Sequence, residues 1–403
     1  MDTIKNKRPF IRFPEFTKNW EHKQLNKLLS VSKTKNKNLK YGKKEVLSVS
    51  GELGVVNQIE HLGRSYAGVS VHNYGILEIN QIVYTKSPLK ANPYGIIKLN
   101  KHKAGIVSTL YAVYSVNEET DGQFVEYYFS LDANLNRYLR PLVRKGAKND
   151  MKISNEYVLN DRIFVPELAE QQKIASFLNI IDDKLQQLTN KKELLNQYKK
   201  GMMQKLFNQK LRFKDENRQD FPEWEVKKLG EVCKVYSGGT PKSSNKSYYK
   251  GDIPFIGSGN ISDNEVFQFI TKEALSNSSS KMVEVGDLLY ALYGGTSGEV
   301  SISKIKGAIN QAVLCINTTE NKQFLYQFLK FDKERIIKTF LQGGQGNLSA
   351  QIIKNLKVLF PKKNEQKKIA NFLSKIDDKI NIVKEKIENT KAFKKGLLQQ
   401  MFV

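Results

Sequence analysis

Six lysines, Lys33, Lys35, Lys37, Lys40, Lys43 and Lys44, crowd one segment that also carries Ser32, Thr34, Asn36 and Asn38. Ammonium groups at that density, beside hydroxyls and amides, suit the phosphate oxygens of a nucleic acid. Arg64 stands alone further on, and Arg137, Arg140, Arg144, Lys145 and Lys148 form a second cluster around Gly146. A third follows Gly238 and Gly239: Thr240, Lys242, Lys246 and Lys250, with Tyr248 and Tyr249 among them. Two more loops are glycine-rich, 294–298 with Thr296 and 342–347 with Gln342, Gln345 and Asn347. Glycines let a backbone approach a surface, and Gln and Asn amides can read base edges. Any one cluster taken alone is an ordinary solvated face. Their number, in two stretches of similar layout, points to DNA.

Bond-making chemistry finds no comparable address. No glycine is followed at P-loop spacing by Gly-Lys-Ser/Thr, and no Gly-x-Gly-x-x-Gly follows a strand. Ala91-Asn92-Pro93-Tyr94 resembles the Asn-Pro-Pro-Tyr of adenine methylases, but it lacks the second proline and reads as a turn. Glu225-Val226-Lys227 has the Glu-x-Lys end of a metal-dependent nuclease motif without its acidic partner. Asp182-Asp183 and Asp377-Asp378 are paired carboxylates, yet Lys184 and Lys379 follow at once, which favours a polar patch facing solvent or a partner over a metal site. His22, His61, His72 and His102 are scattered without ligand spacing. The expectation is therefore no catalytic residue and no metal in this chain.

Composition sets the frame for these clusters. The 403 residues carry a net charge of +24 and are 40% hydrophobic, enough for real cores and far more basic than solubility needs. A polyanion is the expected partner, nucleic acid before an anionic membrane. No apolar run is long enough to span a bilayer, and the first ten residues lack the apolar core of a signal peptide. Cys233 and Cys315 make neither a Cys-x-x-Cys nor a disulfide framework, so a reducing, cytoplasmic setting is expected.

The elements that must hold the clusters apart are two copies of one long helix. Glu170 to Phe207 recurs as Glu365 to Phe402, 195 residues later, and from Pro166 and Pro361 onward roughly 19 of 42 aligned positions are identical. Ile174, Ile181, Leu188 and Leu195 recur every seven residues, as do Ile369, Ile376 and Val383 with Leu397 two heptads on. Such a stripe is a seam that another helix can cover, and duplication suggests that the copies pair with each other; a helix covering only its own domain is the plainer alternative. At 1.5 Å per residue each copy would run about 60 Å. Residues that face away from the seam, Glu170, Lys173 and Asp183 with Glu365, Lys368 and Asp378, are candidates for docking a partner.

Each helix follows a domain. Phe13-Pro14-Glu15 and Trp20-Glu21 are matched by Phe221-Pro222-Glu223 and Trp224-Glu225, so the repeat is larger than the helix. We place a first domain with an N-terminal arm at 1–165, a helix at 166–209, a second domain at 210–360 and a second helix at 361–403. Strand-like runs are expected at 45–49, 79–84, 95–99, 105–116, 287–292 and 308–316, with helices at 122–131 and near 323–331. Strands and helices without a βαβ rhythm argue for α+β: two α/β domains separated by two long antiparallel helices, a coiled-coil spacer, related by a pseudo-twofold internal repeat.

Two variable domains, each followed by a helix carrying Glu-Gln-x-Lys-Ile-Ala-x-Phe-Leu-x-x-Ile-Asp-Asp-Lys, resemble the specificity subunit of a Type I restriction–modification enzyme over the whole chain. The resemblance implies that each domain is a target recognition domain reading one half of a split, asymmetric double-stranded DNA sequence. It implies that the helices space the domains and dock two modification (adenine methyltransferase) subunits, which restriction subunits then join. S-adenosylmethionine, ATP and magnesium would serve those partners, with no cofactor in this chain. The first domain lacks the Gly-Gly-Thr-Pro and Gly-Gly-Gln-Gly loops of the second, so the half-sites should differ. Two other readings remain open: a free-standing methyltransferase or nuclease, and a coiled-coil interaction protein that binds DNA without sequence preference.

Overall fold

The computed structural model describes residues 8–89, 91–145, 151–341 and 347–403. The chain divides into two units, 1–188 with 386–403, and 189–385. Among the described residues no helix is long and apolar enough to cross a membrane.

In the first unit the opening strand, Glu21–Gln24, pairs antiparallel with the closing strand, Arg162–Val165, so the domain begins and ends at one place. Between them lies a four-stranded antiparallel sheet in the order Leu29–Val31, Tyr111–Val116, Ile82–Thr85, Ile97–Leu99. Successive side chains point to opposite faces of a strand. Ile82, Tyr84, Ala112 and Tyr114 therefore pack with Phe124, Tyr127 and Tyr128 of helix Gly122–Ser130. Val83 and Val113 pack on the other side with Leu47, Val55, Leu77 and Val107. That second layer consists of the hairpin Leu47–Ser50/Gly54–Asn57 and the pair Gly75–Leu77/Gly105–Val107.

The second unit repeats the plan. Glu225–Lys228 pairs antiparallel with Lys357–Phe360. Its main sheet runs Cys233–Ser237, Val313–Thr318, Leu288–Ala291, Val300–Ile302, the same order and sense as in the first unit. Leu288, Tyr290, Leu314 and Ile316 meet helix Lys322–Phe340, while Leu289, Ala291, Val313 and Cys315 face the second layer. That layer is fuller here, with Phe269–Ile270, Ile253–Ile256, Gly307–Ile309 and Lys281–Val283. Its Ile253–Ile256 runs parallel to Gly307–Ile309, a pairing reduced in the first unit to the single parallel bridge Val46–Ile106. Even a turn is copied: Asn80 and Gly286 both have positive φ, 64° and 93°, and both N–H groups donate across the sheet, to Asn100 O and Ser303 O. Asn and Gly are the residues that tolerate that backbone. The fold is α+β, an internal repeat.

Several local expectations change. The run 105–116 is two strands, because a turn closed by Tyr111 N to Ser108 O breaks it. The helix expected near 323–331 extends to Phe340, capped at its start by Asn321. Residues 43–45 form a short 3₁₀ turn ahead of strand Leu47–Ser50.

The two long helices are Leu168–Phe207 and Lys363–Met401, of 40 and 39 residues. Within the first unit the start of the first packs against the end of the second, with Ile174, Leu178 and Ile181 in one cluster with Leu397, Leu398, Met401 and Phe402. Within the second unit Met203, Leu206 and Phe207 share a cluster with Ile369, Leu373 and Ile376. The helices are antiparallel. The seam itself needs correction, because those clusters also contain the domain cores: Phe402 lies 5.3 Å from Phe124, and Phe207 lies 5.8 Å from Phe324. The helix ends pair with each other and roof their own domains at once. Leu188 and Val383 are buried, whereas Leu195 is only half covered.

Candidate nucleic-acid interface and the helix frame

Glu170 and Glu365 are fully buried, which removes both as outward docking residues. Nε and Nη2 of Arg12 each donate to Glu170 at 2.7 Å, and Trp20 Nε1 donates at 3.2 Å. Arg212 and Trp224 do the same for Glu365, at 3.1 and 2.8 Å and at 3.1 Å. A bidentate guanidinium is the partner a buried carboxylate needs, since an unpaired charge there would be costly. The carboxylate in turn raises the Arg12 and Arg212 pKa values above the ordinary range, chiefly through the hydrogen bonds.

The glutamine that follows is used equally inward. Gln171 accepts from Asp121 N at 3.0 Å and donates to Pro166 O at 3.0 Å; Gln366 accepts from Asn321 N at 2.9 Å and donates to Pro361 O at 2.8 Å. Asp121 and Asn321 cap the domain helices, so one side chain ties the long helix to the shorter one beneath it. The Glu-Gln pair of the repeat is an internal fastening. Lys173 and Lys368 also serve it, lying over the Phe13 and Phe221 rings, with Lys173 3.6 Å from Glu15 and Lys368 Nζ donating to Lys214 O at 2.6 Å. Asp183 and Asp378 are exposed and form no ion pair among the described residues.

Their neighbours Asp182 and Asp377, expected in a polar patch facing solvent or a partner, instead tie the long helices together and to the domain helices. Asp182 accepts from Lys394 and from Tyr127 Oη, and Asp377 accepts from both Lys199 Nζ and Gln327 Nε2. Asp182 and Asp377 are one repeat position, Lys199 and Lys394 another, and antiparallel packing brings opposite members together. That equal spacing was visible in the sequence. Burial lowers the Lys199 ammonium pKa despite its carboxylate.

The DNA-contact candidates of the first domain lie where the lysine segment leaves strand Leu29–Val31. Lys33, Lys35, Lys37, Lys40, Lys43 and Lys44 are all exposed, and among the described residues only Lys40 forms an ion pair, with Glu78 at 3.7 Å. Asn36, in their midst, is buried and holds the loop, accepting from Tyr41 N and donating to Tyr41 O. With its one amide turned in, the lysines are turned out. Arg64 is exposed over the Tyr66 ring, and Arg144 is exposed on the pair Arg144–Lys145/Met151–Lys152. Arg137 instead donates to Tyr128 Oη and Val403 O. Lys148, Gln342 and Gln345 lie outside the described residues.

In the second domain the loop after Cys233–Ser237 takes the place of the lysine segment. Gly238 is there for packing: a Cβ would lie 1.7 Å from Ile309 O. Thr240 is exposed and bonded to Gln311, whose turn therefore belongs with the candidates. Leu292 N donates to Ala312 O and Leu348 N to Leu292 O. These bonds gather Thr240, Gln311, Thr296 and Asn347 at one end of the sheet. Lys242 and Lys246 are exposed beside them, but Tyr248 and Tyr249 are half-buried braces, Tyr249 Oη donating to Pro241 O at 2.6 Å. Asn310-Gln311, two amides interrupting an apolar run, was the signal for this turn. Among the described residues no group of three His, Cys, Asp or Glu side chains could hold a metal ion.

A repeated domain frame with unlike loops at equivalent edges matches known proteins. Residues 222–391 match the Type I restriction modification DNA specificity domain. Over that stretch the chain is similar to the specificity subunits of Type I restriction enzymes. It is 29% identical over 259 residues to the MjaVIII specificity subunit of Methanocaldococcus jannaschii, covering 59% of this chain and 60% of that one. It is 26% identical over 178 residues to the EcoR124I/EcoR124II specificity subunit of Escherichia coli, covering 41% and 44%. The match spans about three fifths of the length of the MjaVIII subunit and of the MjaX specificity subunit of the same organism. The crystal structure of an S subunit from M. genitalium superposes with a TM-score of 0.62 at 17% identity, covering 98% of this chain and 99% of that one. That S subunit thus shares this fold across nearly the whole length of both chains.

Proposed function

We propose that this chain is the non-catalytic, sequence-specific DNA-binding subunit of a Type I restriction–modification complex. Each domain reads one half of a split, asymmetric target, and the long helices fix the distance between the halves. The observation that carries this reading is the contrast between copied and uncopied parts. The latches Arg12–Glu170 and Arg212–Glu365 are the same, while the lysine segment 33–44 and the loops around Thr240, Gln311 and Asn347 share nothing but their place on the sheet. A frame under one constraint with rims under two fits two half-sites of different sequence. Exposed lysines supply phosphate contacts and the loop amides supply base readout.

Asp183 and Asp378, on the exposed side of the helices, and Lys173, whose side chain is also exposed, are the surviving candidates for docking two methyltransferase subunits, which restriction subunits would join. S-adenosylmethionine, ATP and magnesium would be used by those partners. Single-molecule methylome sequencing of a host expressing this chain with its modification partner tests the whole reading. A bipartite motif with two different halves is expected. Inserting four residues, about one helical turn, into 185–195 should change the unread spacer. An unchanged spacer, or methylation by the purified chain alone, would overturn the proposal.

A further inference from the structure

A groove of about 970 Å³ in the second unit is lined by the end of the first long helix, the start of the second and helix Lys322–Phe340. Lys200, Lys330 and Lys384 line it, and none of the three forms an ion pair among the described residues; Glu334 and the docking candidate Asp378 lie on the same wall, so lysines outnumber carboxylates there without excluding them. The rings of Tyr326 and Phe331 and the side chains of Met203 and Ile380 supply apolar wall.

Gln327 is the decisive residue. It is 1% exposed and lines the groove, and its Nε2 donates to Asp377 Oδ2 at 2.7 Å. Asp377 fixes that orientation, because a flipped amide would set Oε1 against a carboxylate. The Oε1 atom is left with no hydrogen-bond partner among the described residues. A buried acceptor without a donor carries an unmet cost that a ligand's N–H can remove. The first unit solves the same position differently. Tyr127 stands there, its Oη bonded to Asp182 and its ring flanked by Lys394 and Lys101 at 5.0 and 5.4 Å from the centroid. Where one unit has a ring, the other has an unfilled amide in a basic groove.

We propose that this groove binds a nucleoside polyphosphate. The base amino group donates to Gln327 Oε1, the base lies against Tyr326 and Phe331, and the phosphates are held by Lys200, Lys330 and Lys384. The volume falls within the range of small-molecule sites. A duplex could offer phosphates to these lysines, but its bases are held in the stack and cannot lie against Tyr326 and Phe331; the base of a free nucleotide can. The site is separate from the rim loops assigned above to target recognition, and its success or failure does not depend on them.

Titration calorimetry of the full chain with ATP, adenosine and tripolyphosphate tests the assignment. ATP is expected to bind at least about tenfold more tightly than either part, since it engages both the amide and the lysines. Gln327→Leu should weaken ATP about tenfold and leave tripolyphosphate unchanged. Lys200→Ala with Lys384→Ala should weaken both. Gln327→Tyr, which copies the first unit, should abolish ATP binding while the circular dichroism spectrum and target binding stay as in the parent chain. No heat with ATP, equal affinity of the parent and Gln327→Leu chains, or full displacement of ATP by a short duplex would each overturn it. The last result would assign the lysines to DNA backbone.

Discussion

The two units hold their long helices with the same residues and present different ones to the outside. Arg12, Trp20 and Gln171 surround Glu170 as Arg212, Trp224 and Gln366 surround Glu365, down to hydrogen bonds that agree within about half an ångström. The rims agree nowhere. Six lysines on a loop pinned by Asn36 stand in one unit where Gly238, Gly239 and Thr240 stand in the other. A buried ion pair tolerates no substitution of one partner, so both copies keep it; an exposed loop can change without disturbing the core. Between these extremes sits the pair Tyr127 and Gln327, which do the same job for Asp182 and Asp377 and leave different space behind.

The largest test of that likeness is removal of the buried carboxylates. Glu170→Ala and Glu365→Ala should each destabilise the chain by about 3–5 kcal/mol, because each leaves a guanidinium without its partner in a mostly buried site. Urea denaturation reads this, and a cost below about 1 kcal/mol in one unit alone would break the equivalence. Next come the interhelical pairs. Asp377→Ala should cost about 2–3 kcal/mol and Asp182→Ala about 1–2, since the Lys199 side chain is 9% exposed and that of Lys394 is 21%. Equal losses would show that burial of the lysine is not what sets the cost.

The rims should respond in binding rather than in stability. Replacing Lys33, Lys35 and Lys37 with Gln should lower DNA affinity for all sequences and reduce the salt slope by about 0.9 for each phosphate no longer neutralised. Thr240→Ala or Gln311→Ala should instead relax one half-site, by about 1–3 kcal/mol of discrimination, as read by competition between duplexes. The smallest effect is expected from rejoining the chain. Ile11 N donates to Gln400 O at 2.9 Å just as Leu211 N donates to Lys205 O at 3.1 Å, the second within a continuous loop and the first across the chain ends. Linking Val403 to Pro9 and opening the chain after Gln209 should change stability by less than about 1 kcal/mol, measured by thermal melting.

Much of the frame was legible before any coordinates. The 195-residue repeat, the heptad stripe and the doubled Trp-Glu lead-in fix two like domains and two like helices, because periodicity and identity survive in linear order. The rims were legible as composition only: the lysine segment announced itself by charge, whereas Asn36 and Gln311 are single polar residues whose roles depend on what folds over them. The short strands, three or four residues each, were mostly invisible, since so brief an alternation carries little signal; Gly75–Leu77 and Lys281–Val283 exist because partners far along the chain complete them.

What the sequence determined by itself was the duplication, the helix length and the basic character of the loops, all properties of local pattern. What only the tertiary structure decided was direction. Glu170, four residues before Ile174, reads as outward as Asp183 in the linear pattern yet is buried, and the seam read as a property of the helices alone. Which face of a charged helix turns inward depends on the arginine, tryptophan and aromatic core that arrive from elsewhere in the chain. A carboxylate follows its guanidinium into the interior, and no spacing within the helix records where that guanidinium lies.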